Sequence, residues 1–159
     1  MWTVIDSPVG ELRLVEHDGA LTAIEFTPFR EGDGRPRGLR DDANPVLVET
    51  ARQLQAYFAR ELKEFDLPLA PAGSDFQLRV WKELQLIGFG ETASYGDIAH
   101  RLGMTNAASR AVGLANGRNP IPIVIPCHRV IGANGTLTGY AGGLDRKQTL
   151  LSLEQDALF

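Results

Sequence analysis

The feature that most restricts the possible folds of this chain is a proline-rich, apolar segment, residues 119–131, with the sequence NPIPIVIPCHRVI. Three prolines within seven residues exclude an α-helix, because proline lacks a backbone N–H donor and clashes with the preceding turn. The β-branched side chains between them favour burial. We therefore predict a rigid, extended segment in the interior, around which neighbouring elements pack.

The single cysteine of the chain, Cys127, lies in this segment beside His128. A thiol becomes a nucleophile by losing its proton, an imidazole can accept that proton, and a carboxylate can orient the imidazole. Because successive side chains of an extended segment point to opposite sides, a bridging water is an easier route between the two than direct contact. A lone buried cysteine is more often an inert apolar residue, so the residues alone leave both interpretations open.

The first half of the chain is typical of a small antiparallel sheet covered by a helix. Alternation around Leu12 and an extended pattern over residues 21–26 flank an Asp18-Gly19 turn, which predicts a hairpin. Residues 27–45 are rich in glycine and polar residues and predict a mobile loop. After that loop, apolar residues recur at helical spacing and predict a helix on one face of the sheet. These residues are Leu47, Ala51, Leu54, Phe58 and Leu62.

A segment with the sequence LPLAPAG, residues 67–73, interrupts the helical pattern. It predicts a boundary between two domains, residues 1–73 and 74–159. Directly after it, Ser74 and Gln77 form a capping-box pattern that predicts a helix to about residue 87.

The next segment predicts a helix-turn-helix. A second capping box, Ser94 with Asp97, predicts a short helix that ends at Gly103, and Asn106 is placed to cap a third helix over residues 107–117. Two helices joined by a tight glycine-containing turn are typical of DNA-binding helix-turn-helix motifs. The small residues of the third helix would allow close approach to a partner, but they equally suit packing against a neighbouring helix, and both alternatives stay open.

The remaining elements complete the predicted fold. Asn134-Gly135 predicts a hairpin turn, residues 139–143 a glycine-rich loop, and residues 144–155 a closing helix. The expected fold class is α+β: a small N-terminal antiparallel sheet with a helix, followed by a winged-helix-like domain that carries the cysteine.

Charge is unevenly distributed along the chain, although the net charge is −4. Residues 1–74 hold 13 acidic and 8 basic residues, whereas residues 75–159 hold 7 and 8. No acidic residue occurs from residue 98 to residue 144. This stretch predicts either a local basic surface for phosphate or a neutral stretch with solvated arginines. The arginines within it are Arg101, Arg110, Arg118 and Arg129.

Composition excludes several classes of protein. One cysteine forms no internal disulfide, and the three histidines show no zinc-ligand spacing, so we expect no metal. No apolar run approaches the roughly 20 residues that span a bilayer, and the N-terminus lacks the pattern of a signal peptide. We therefore expect a cytoplasmic protein that does not bind membranes.

The sequence IPCHRV, residues 125–130, resembles the active-site signature of the O6-alkylguanine-DNA alkyltransferases, also called methylated-DNA–protein-cysteine methyltransferases. The resemblance covers most of residues 75–159, and the N-terminal half resembles the variable sheet domain of the family more loosely. The further matching motifs, in the order of the family, are SYG at 94–96, ASRAVG at 108–113, NP at 119–120, GYAGG at 139–143 and the helix from Lys147 to Glu154.

The resemblance implies a chemistry for the cysteine. Cys127 would accept an alkyl group from O6 of guanine, and also from O4 of thymine, in one irreversible turnover that inactivates the protein and needs no cofactor. His128 would act as a water-mediated base, Glu154 would orient it, and Asn119 would be a hinge between the recognition helix and the active-site loop.

The resemblance also implies a DNA partner. The recognition helix would enter the minor groove of double-stranded DNA that contains O6-alkylguanine, with Arg110 replacing the flipped nucleotide and Tyr95 beside the phosphate. Extrusion is chemically required, because O6 inside a duplex is out of reach of a buried thiol. The protein is expected to be a monomer that can cluster on DNA. The other implied DNA contacts are Ala108, Ser109, Gly113 and Arg118, and the implied guanine pocket is Tyr95, Val130, Tyr140 and the Ala141 backbone.

Three alternatives belong to other classes. A non-enzymatic alkyltransferase-like protein would lack the cysteine, so Cys127 argues against it. A transcription regulator could use the same helix-turn-helix, but relatives of that kind carry a cysteine-rich metal domain that this sequence lacks. A cysteine-histidine hydrolase would turn over repeatedly, so the number of alkyl groups transferred per chain distinguishes it.

Overall fold

A computed structural model of the chain describes residues 1–140 and 142–156. The fold is α+β, as predicted, with a three-stranded antiparallel sheet at the N-terminus and a helical C-terminal part. Tertiary contacts divide the chain into two compact units, Met1–Pro71 and Ala72–Phe159, and each is described by itself.

The sheet of the N-terminal unit contains β1 (Trp2–Ile5), β2 (Leu12–His17) and β3 (Ala20–Phe26), in that spatial order. Asp18-Gly19 joins β2 to β3, and both residues have a positive φ, 50° and 80°. This is the backbone of a two-residue hairpin turn, which Asp-Gly adopts readily. The predicted hairpin is therefore confirmed.

One helix, α1 (Pro45–Phe58), contacts β1, β2 and β3. Asn44 begins it, because the Asn44 side chain accepts hydrogen bonds from two backbone N–H groups of the first turn. The apolar pattern predicted helix as far as Leu62, but Arg60 has a φ of 63° and so leaves the helical conformation. The helix consequently ends at Phe58.

The loop over residues 27–44 is connected to the sheet by ion pairs. Arg37 lies 2.8 Å from Glu25 of β3 and 2.9 Å from Asp33 of the loop. Arg13, buried in β2, lies 3.0 Å from the same Glu25. The mobility expected of this loop stays a prediction.

The first part of the expected boundary segment belongs to the N-terminal unit. The Leu21 N–H donates to the Pro68 carbonyl at 2.8 Å, and the Ala70 N–H donates to the Leu21 carbonyl at 2.9 Å. Residues 68–70 therefore pair with β3. The division of the chain into functional domains after residue 73 stays a prediction.

In the residues that the structure describes, the C-terminal unit contains four α-helices and one short strand pair. The helices are α2 (Asp75–Leu84), α3 (Tyr95–Arg101), α4 (Ser109–Gly117) and α5 (Leu144–Asp156). Both predicted capping boxes are present, and they begin α2 and α3. The end of α2 lies three residues before the expected residue 87.

The helix-turn-helix differs from the sequence prediction at its second helix. α3 ends at Arg101, and Gly103, with a φ of 77°, lies in the turn. Residues Asn106–Ala108 form a 3-10 turn, and α4 begins only at Ser109, so Asn106 does not cap it. The helix starts without a side-chain cap.

The predicted hairpin at Asn134-Gly135 was wrong. The turn exists, closed by a hydrogen bond from the Gly132 N–H to the Thr136 carbonyl at 2.8 Å. However, β5 (Val130–Ile131) pairs in parallel with β4 (Ala93–Ser94), and in the described residues no strand follows the turn.

In the described part of the chain, no helix is long and apolar enough to cross a membrane.

Candidate active site

The central part of the proline-rich segment is buried, as predicted, but its backbone is not extended. The Cys127 N–H donates to the Ile125 carbonyl at 2.8 Å, and the Arg129 N–H donates to the Pro126 carbonyl at 3.0 Å. Buried backbone donors need acceptors, and local turns supply them here. The cysteine consequently begins a buried 3-10 turn, Cys127–Arg129.

A buried cluster of charged and titratable side chains lies beside this turn. His128 Nε2 is 2.7 Å from Oε2 of Glu154 on α5. Arg129 donates to the same carboxylate through Nε at 2.9 Å and Nη2 at 3.1 Å, and to the Ile87 carbonyl through Nη1 at 2.6 Å. The Gly90 N–H adds a fourth bond to the carboxylate at 3.2 Å. Glu154 is only 1% exposed, and these four hydrogen bonds replace the water that its carboxylate has lost.

The charge states of the cluster follow from these contacts. Burial favours a higher pKa for Glu154, but the hydrogen bond from His128 and the charge of Arg129 lower the pKa to about 2. Burial lowers the pKa of His128 below its ordinary value, although Glu154 opposes that effect. At neutral pH, Glu154 is therefore ionised, and His128 is neutral with its Nε2 proton donated to Glu154. Nδ1 of His128 is buried and has no hydrogen-bond partner among the described residues, so it can accept a proton.

Cys127 is buried, with only 4% of the residue exposed. Burial raises its pKa to about 11, while the side chains of Asn119, Lys147 and Tyr140 act in the opposite direction. At neutral pH the thiol therefore carries its proton. Nucleophilic attack by this sulfur requires a base.

Two asparagines at the end of α4 hold the cysteine segment. Asn119 Nδ2 donates to the Ile125 carbonyl at 2.7 Å, and its Oδ1 accepts from the Ile121 N–H at 3.0 Å. Asn116 Nδ2 donates to the carbonyl of Cys127 at 3.3 Å. The end of α4 is therefore hydrogen-bonded directly to the segment that carries the thiol. The hinge function expected for Asn119 stays a prediction.

The residues expected to contact DNA lie at or near the exposed face of the helix-turn-helix. Arg110 and Arg118 are exposed, and neither side chain forms a hydrogen bond or ion pair with the described residues. Gly113 lies opposite the Tyr95 ring, because a Cβ at that position would be 3.7 Å from it. The predicted basic surface was wrong at Arg129. This residue is buried with Glu154 and cannot belong to a surface. The partly exposed positions at the start of α4 are Ala108 and Ser109.

Two of the residues expected to form the guanine pocket, Val130 and Tyr140, lie near the cysteine turn. Val130 follows the turn directly and is buried, as is Tyr140. The Tyr95 hydroxyl lies 2.9 Å from the Thr138 hydroxyl. Ala141 lies outside the described residues.

The structure thus brings Cys127, His128, Glu154 and Asn119 together, whereas Arg110 and Arg118 are exposed residues of the same unit. The structural roles of Arg129, Asn116 and Lys147 were not predicted from the sequence. A signal existed for the lysine: on α5, Lys147, Leu150, Leu151 and Glu154 follow the i, i+3, i+4, i+7 spacing of one buried face. Within the described ranges, no group of three or more His, Cys, Asp or Glu side chains could hold a metal ion.

Two family models match the chain. The model described as 6-O-methylguanine DNA methyltransferase, DNA binding domain, matches residues 75–156. The model described as 6-O-methylguanine DNA methyltransferase, ribonuclease-like domain, matches residues 1–71.

Curated relatives carry one shared name, methylated-DNA–protein-cysteine methyltransferase. The relative from Methanosarcina mazei is 60% identical over 155 residues, with 98% of this chain and 97% of the relative covered. The relative from Mycolicibacterium paratuberculosis is 53% identical over 160 residues, with 97% and 92% covered.

Solved structures agree with the sequence comparisons. The crystal structure of the Mycobacterium tuberculosis O6-methylguanine methyltransferase has a TM-score of 0.90 and 49% identity, with 98% of this chain and 93% of that chain covered. The structure described as Mycobacterium tuberculosis OGT in complex with DNA has a TM-score of 0.89 and 50% identity over the same shares. The chain belongs to the 6-O-methylguanine DNA methyltransferase family.

Proposed function

We propose that this protein repairs alkylated DNA by direct reversal, in which Cys127 takes an alkyl group from O6 of guanine and is not regenerated. The observation that carries the proposal is the only cysteine of the chain, buried beside a hydrogen-bonded His128–Glu154 pair. Its relatives share the activity that their common name states, methyl transfer from DNA to a protein cysteine.

Activation of the thiol is proposed to begin at His128. Its Nε2 proton is directed to Glu154, so Nδ1 carries the lone pair that accepts the proton of Cys127 through a bridging water. The ionised carboxylate then stabilises the imidazolium that forms. Arg129 and Gly90 support this task, because their hydrogen bonds fix the carboxylate in one orientation.

The transfer itself is a displacement at the alkyl carbon. The thiolate sulfur forms a bond to that carbon, the bond from carbon to O6 breaks, and its electron pair passes to guanine, which then takes up a proton. We propose that the Tyr95 hydroxyl donates a hydrogen bond to the departing guanine, and that Val130, Tyr140 and the Ala141 backbone line the pocket. The thioether is stable, so each molecule acts once.

DNA binding is proposed to use the exposed face of α4 in the minor groove. Cys127 is too deeply buried to reach a stacked base, so the alkylated nucleotide must leave the duplex. Arg110 is exposed and without a side-chain partner in the described chain, which suits insertion into the vacated space. The remaining proposed contacts to DNA are Tyr95, Ala108, Ser109, Gly113 and Arg118.

Location, assembly and substrate range are part of the same proposal. We propose a cytoplasmic monomer that clusters on DNA, needs no cofactor and also accepts O4-alkylthymine. We further propose that residues 74–159 carry DNA binding and alkyl transfer, which the division into compact units at residues 71 and 72 supports.

Mass spectrometry tests the proposed function directly. Protein is mixed with an excess of duplex DNA that contains one O6-methylguanine, then digested and analysed. We expect one methyl group per chain, on the peptide that contains Cys127, and no further transfer on longer incubation. Repeated turnover, or a methyl group on another residue, would contradict the proposal.

Substitution of the exposed arginine separates base extrusion from sulfur chemistry. We expect Arg110→Ala to slow repair of duplex DNA roughly 10- to 100-fold, equivalent to the few kcal/mol that unstacking a base costs. Transfer from free O6-benzylguanine base should stay near the wild-type rate, because no extrusion is needed. Lys82→Ala, which removes an exposed basic residue of α2, is the control. Equal losses on both substrates would exclude this function for Arg110.

The alkylated product should be less stable than the unreacted protein. The added group enters a buried, proline-braced segment, and overpacking of this kind costs roughly 1–3 kcal/mol. We expect the melting temperature to fall on methylation and to fall further on benzylation, with DNA affinity decreasing in parallel through Asn116 and Asn119. Thermal melts and DNA titrations of the three forms measure both effects, and three equal melting temperatures would show that the site accepts the group without strain.

A further inference from the structure

The Tyr95 hydroxyl, which the proposed transfer step uses as a donor to guanine, is hydrogen-bonded to another side chain. Its oxygen lies 2.9 Å from Oγ1 of Thr138. Tyr95 begins α3, whereas Thr138 lies 43 residues later, in the loop between β5 and α5. The proposed activation and transfer steps give Thr138 no task.

The position of Tyr95 is fixed by its neighbours. The capping box of Ser94 and Asp97 fixes the first turn of α3, which Tyr95 begins. Ser94 also pairs with Ile131 of β5, the strand that directly follows the cysteine turn. The Tyr95 ring lies opposite Gly113 of α4, where a Cβ would be 3.7 Å from it. The ring, and with it the hydroxyl, therefore has a defined position.

The backbone of Thr138 is also held in place. Its carbonyl accepts a hydrogen bond from Nζ of Lys147 at 2.9 Å, and the same ammonium donates to the Val130 carbonyl at 2.6 Å. Two residues further along the chain is Tyr140, a buried residue of the proposed guanine pocket. The Thr138 side chain thus connects the helix-turn-helix to a part of the loop that leads directly into the pocket.

The two hydroxyls hold more protons than their shared hydrogen bond uses. Each has one proton to donate and lone pairs with which to accept, and its proton rotates to suit the available partners. In the unreacted protein Tyr95 is the better donor, because a phenol is more acidic than an aliphatic alcohol. When guanine takes the Tyr95 proton as a hydrogen bond, the Thr138 proton can turn to the Tyr95 oxygen. This exchange rotates two O–H bonds and moves no heavy atom.

Accepting the proposed function, we infer that Thr138 is a positioning residue for alkyl transfer, whose hydroxyl donates to the Tyr95 oxygen and so directs the Tyr95 proton to the departing guanine. As the sulfur of Cys127 bonds to the alkyl carbon, the bond from that carbon to O6 breaks and its electron pair passes to guanine. The thiol proton is then on His128. Guanine takes up a proton from water afterwards, and Thr138 keeps its own.

The hydrogen bond from Thr138 strengthens the donor that guanine uses. As negative charge develops on guanine, the Tyr95 oxygen also becomes more negative, and a donor aimed at that oxygen stabilises it. Hydrogen bonds in a chain polarise one another, so the Thr138 bond makes the Tyr95 proton a better donor.

The effect should appear in the transfer rate and not in the stability of the fold. Thr138 is exposed in the unreacted protein, so water competes for its hydroxyl and the hydrogen bond contributes little to folding. In the proposed complex, guanine lies against Tyr95 and displaces the water around it. The same hydrogen bond is then stronger, because the surroundings are less polar.

The test compares Thr138→Val, which keeps the shape of the side chain but loses the hydroxyl, with Thr138→Ser, which keeps the hydroxyl. Both are made in the wild-type protein and in Tyr95→Phe. Each variant reacts with free O6-benzylguanine at saturating concentration and, separately, with iodoacetamide, whose iodide leaves without a hydrogen-bond donor. Thr149→Val, at an exposed threonine of α5, is the matched control, and thermal melts check that each variant is folded.

We expect Thr138→Val to lower the maximum rate of transfer from O6-benzylguanine roughly 2- to 10-fold, the loss that one hydrogen bond produces. Thr138→Ser should restore the rate to near wild type, and the rate with iodoacetamide should be the same in all three proteins. In the Tyr95→Phe background, Thr138→Val should cause no further loss, because the donor that Thr138 directs is absent.

Three results would overturn the inference: an unchanged transfer rate in Thr138→Val, an equal loss with iodoacetamide, or an equal loss with and without the Tyr95 hydroxyl. The last two would mean that the substitution distorts the loop. The proposed function fails separately: a wild-type protein that iodoacetamide alkylates on Cys127, but that accepts nothing from O6-benzylguanine, would refute the proposed function and this inference with it. A normal wild-type rate with no loss in Thr138→Val would refute only the inference about Thr138.

Discussion

Replacement of Cys127 with alanine is expected to abolish alkyl transfer completely while leaving DNA binding intact. The substitution removes the only thiol in the chain, and any other acceptor side chain would need a different means of activation. The helix-turn-helix should be unaffected, because Asn116 bonds to the backbone carbonyl of Cys127 and not to its side chain. Loss of the small buried sulfur costs little stability compared with truncation of a larger core residue.

The experiment mixes Cys127→Ala with duplex DNA that carries O6-methylguanine and measures both methyl transfer and binding. We expect binding within about twofold of wild type and no transferred methyl group, even after long incubation. Cys127→Ser is a useful companion, because its hydroxyl has nearly the same shape but a much higher pKa than a thiol. Any methyl transfer by the alanine variant would require a second acceptor and would exclude the mechanism.

Local sequence signals predicted most of the regular structure. Capping residues and turn residues act through neighbours a few positions away, so the capping boxes of α2 and α3 and the Asp18-Gly19 hairpin could be located from sequence. Errors occurred where contacts between distant parts of the chain determine the local structure. Asn134-Gly135 was expected to join two strands, but β5 finds its partner in β4, almost 40 residues earlier in the chain.

The active site was only partly predictable, for the same reason. Cys127 and His128 are adjacent in sequence, and the family resemblance implied Glu154 and Asn119. The salt bridge of Arg129 depends on α5, whose position relative to the cysteine turn cannot be deduced from either segment alone. Proline chemistry excluded a helix over this segment, but it did not distinguish an extended strand from the successive turns that are found.

A second large effect is expected for Glu154→Gln, in both stability and rate. The amide keeps the shape of the side chain but removes the charge between His128 and Arg129, which leaves a buried guanidinium without its counter-ion. Breaking a buried ion pair in this way costs roughly 3 kcal/mol or more. Transfer should slow by roughly 10- to 100-fold, because the imidazolium loses its countercharge and the thiol becomes harder to ionise. Glu91→Gln, an exposed glutamate of the same unit, should change neither.

The dependence of this stability loss on pH identifies the charge of Glu154 as its cause. The folded-state pKa of about 2 lies below the ordinary value of 4.5, so the carboxylate stabilises the fold above about pH 4.5, and this contribution disappears as the pH falls toward 2. Between about pH 6.5 and pH 4.5, the titration of His128 increases the stability difference between the two proteins. Without Glu154 the pKa of the buried His128 falls further, so the variant loses more stability than wild type as the pH falls. Urea unfolding at a series of pH values should therefore give a difference between wild type and Glu154→Gln that is large at neutral pH, does not shrink down to about pH 4.5, and decreases below it. A difference that stays constant down to the lowest pH at which both proteins fold would mean that lost packing, and not lost charge, destabilises the variant.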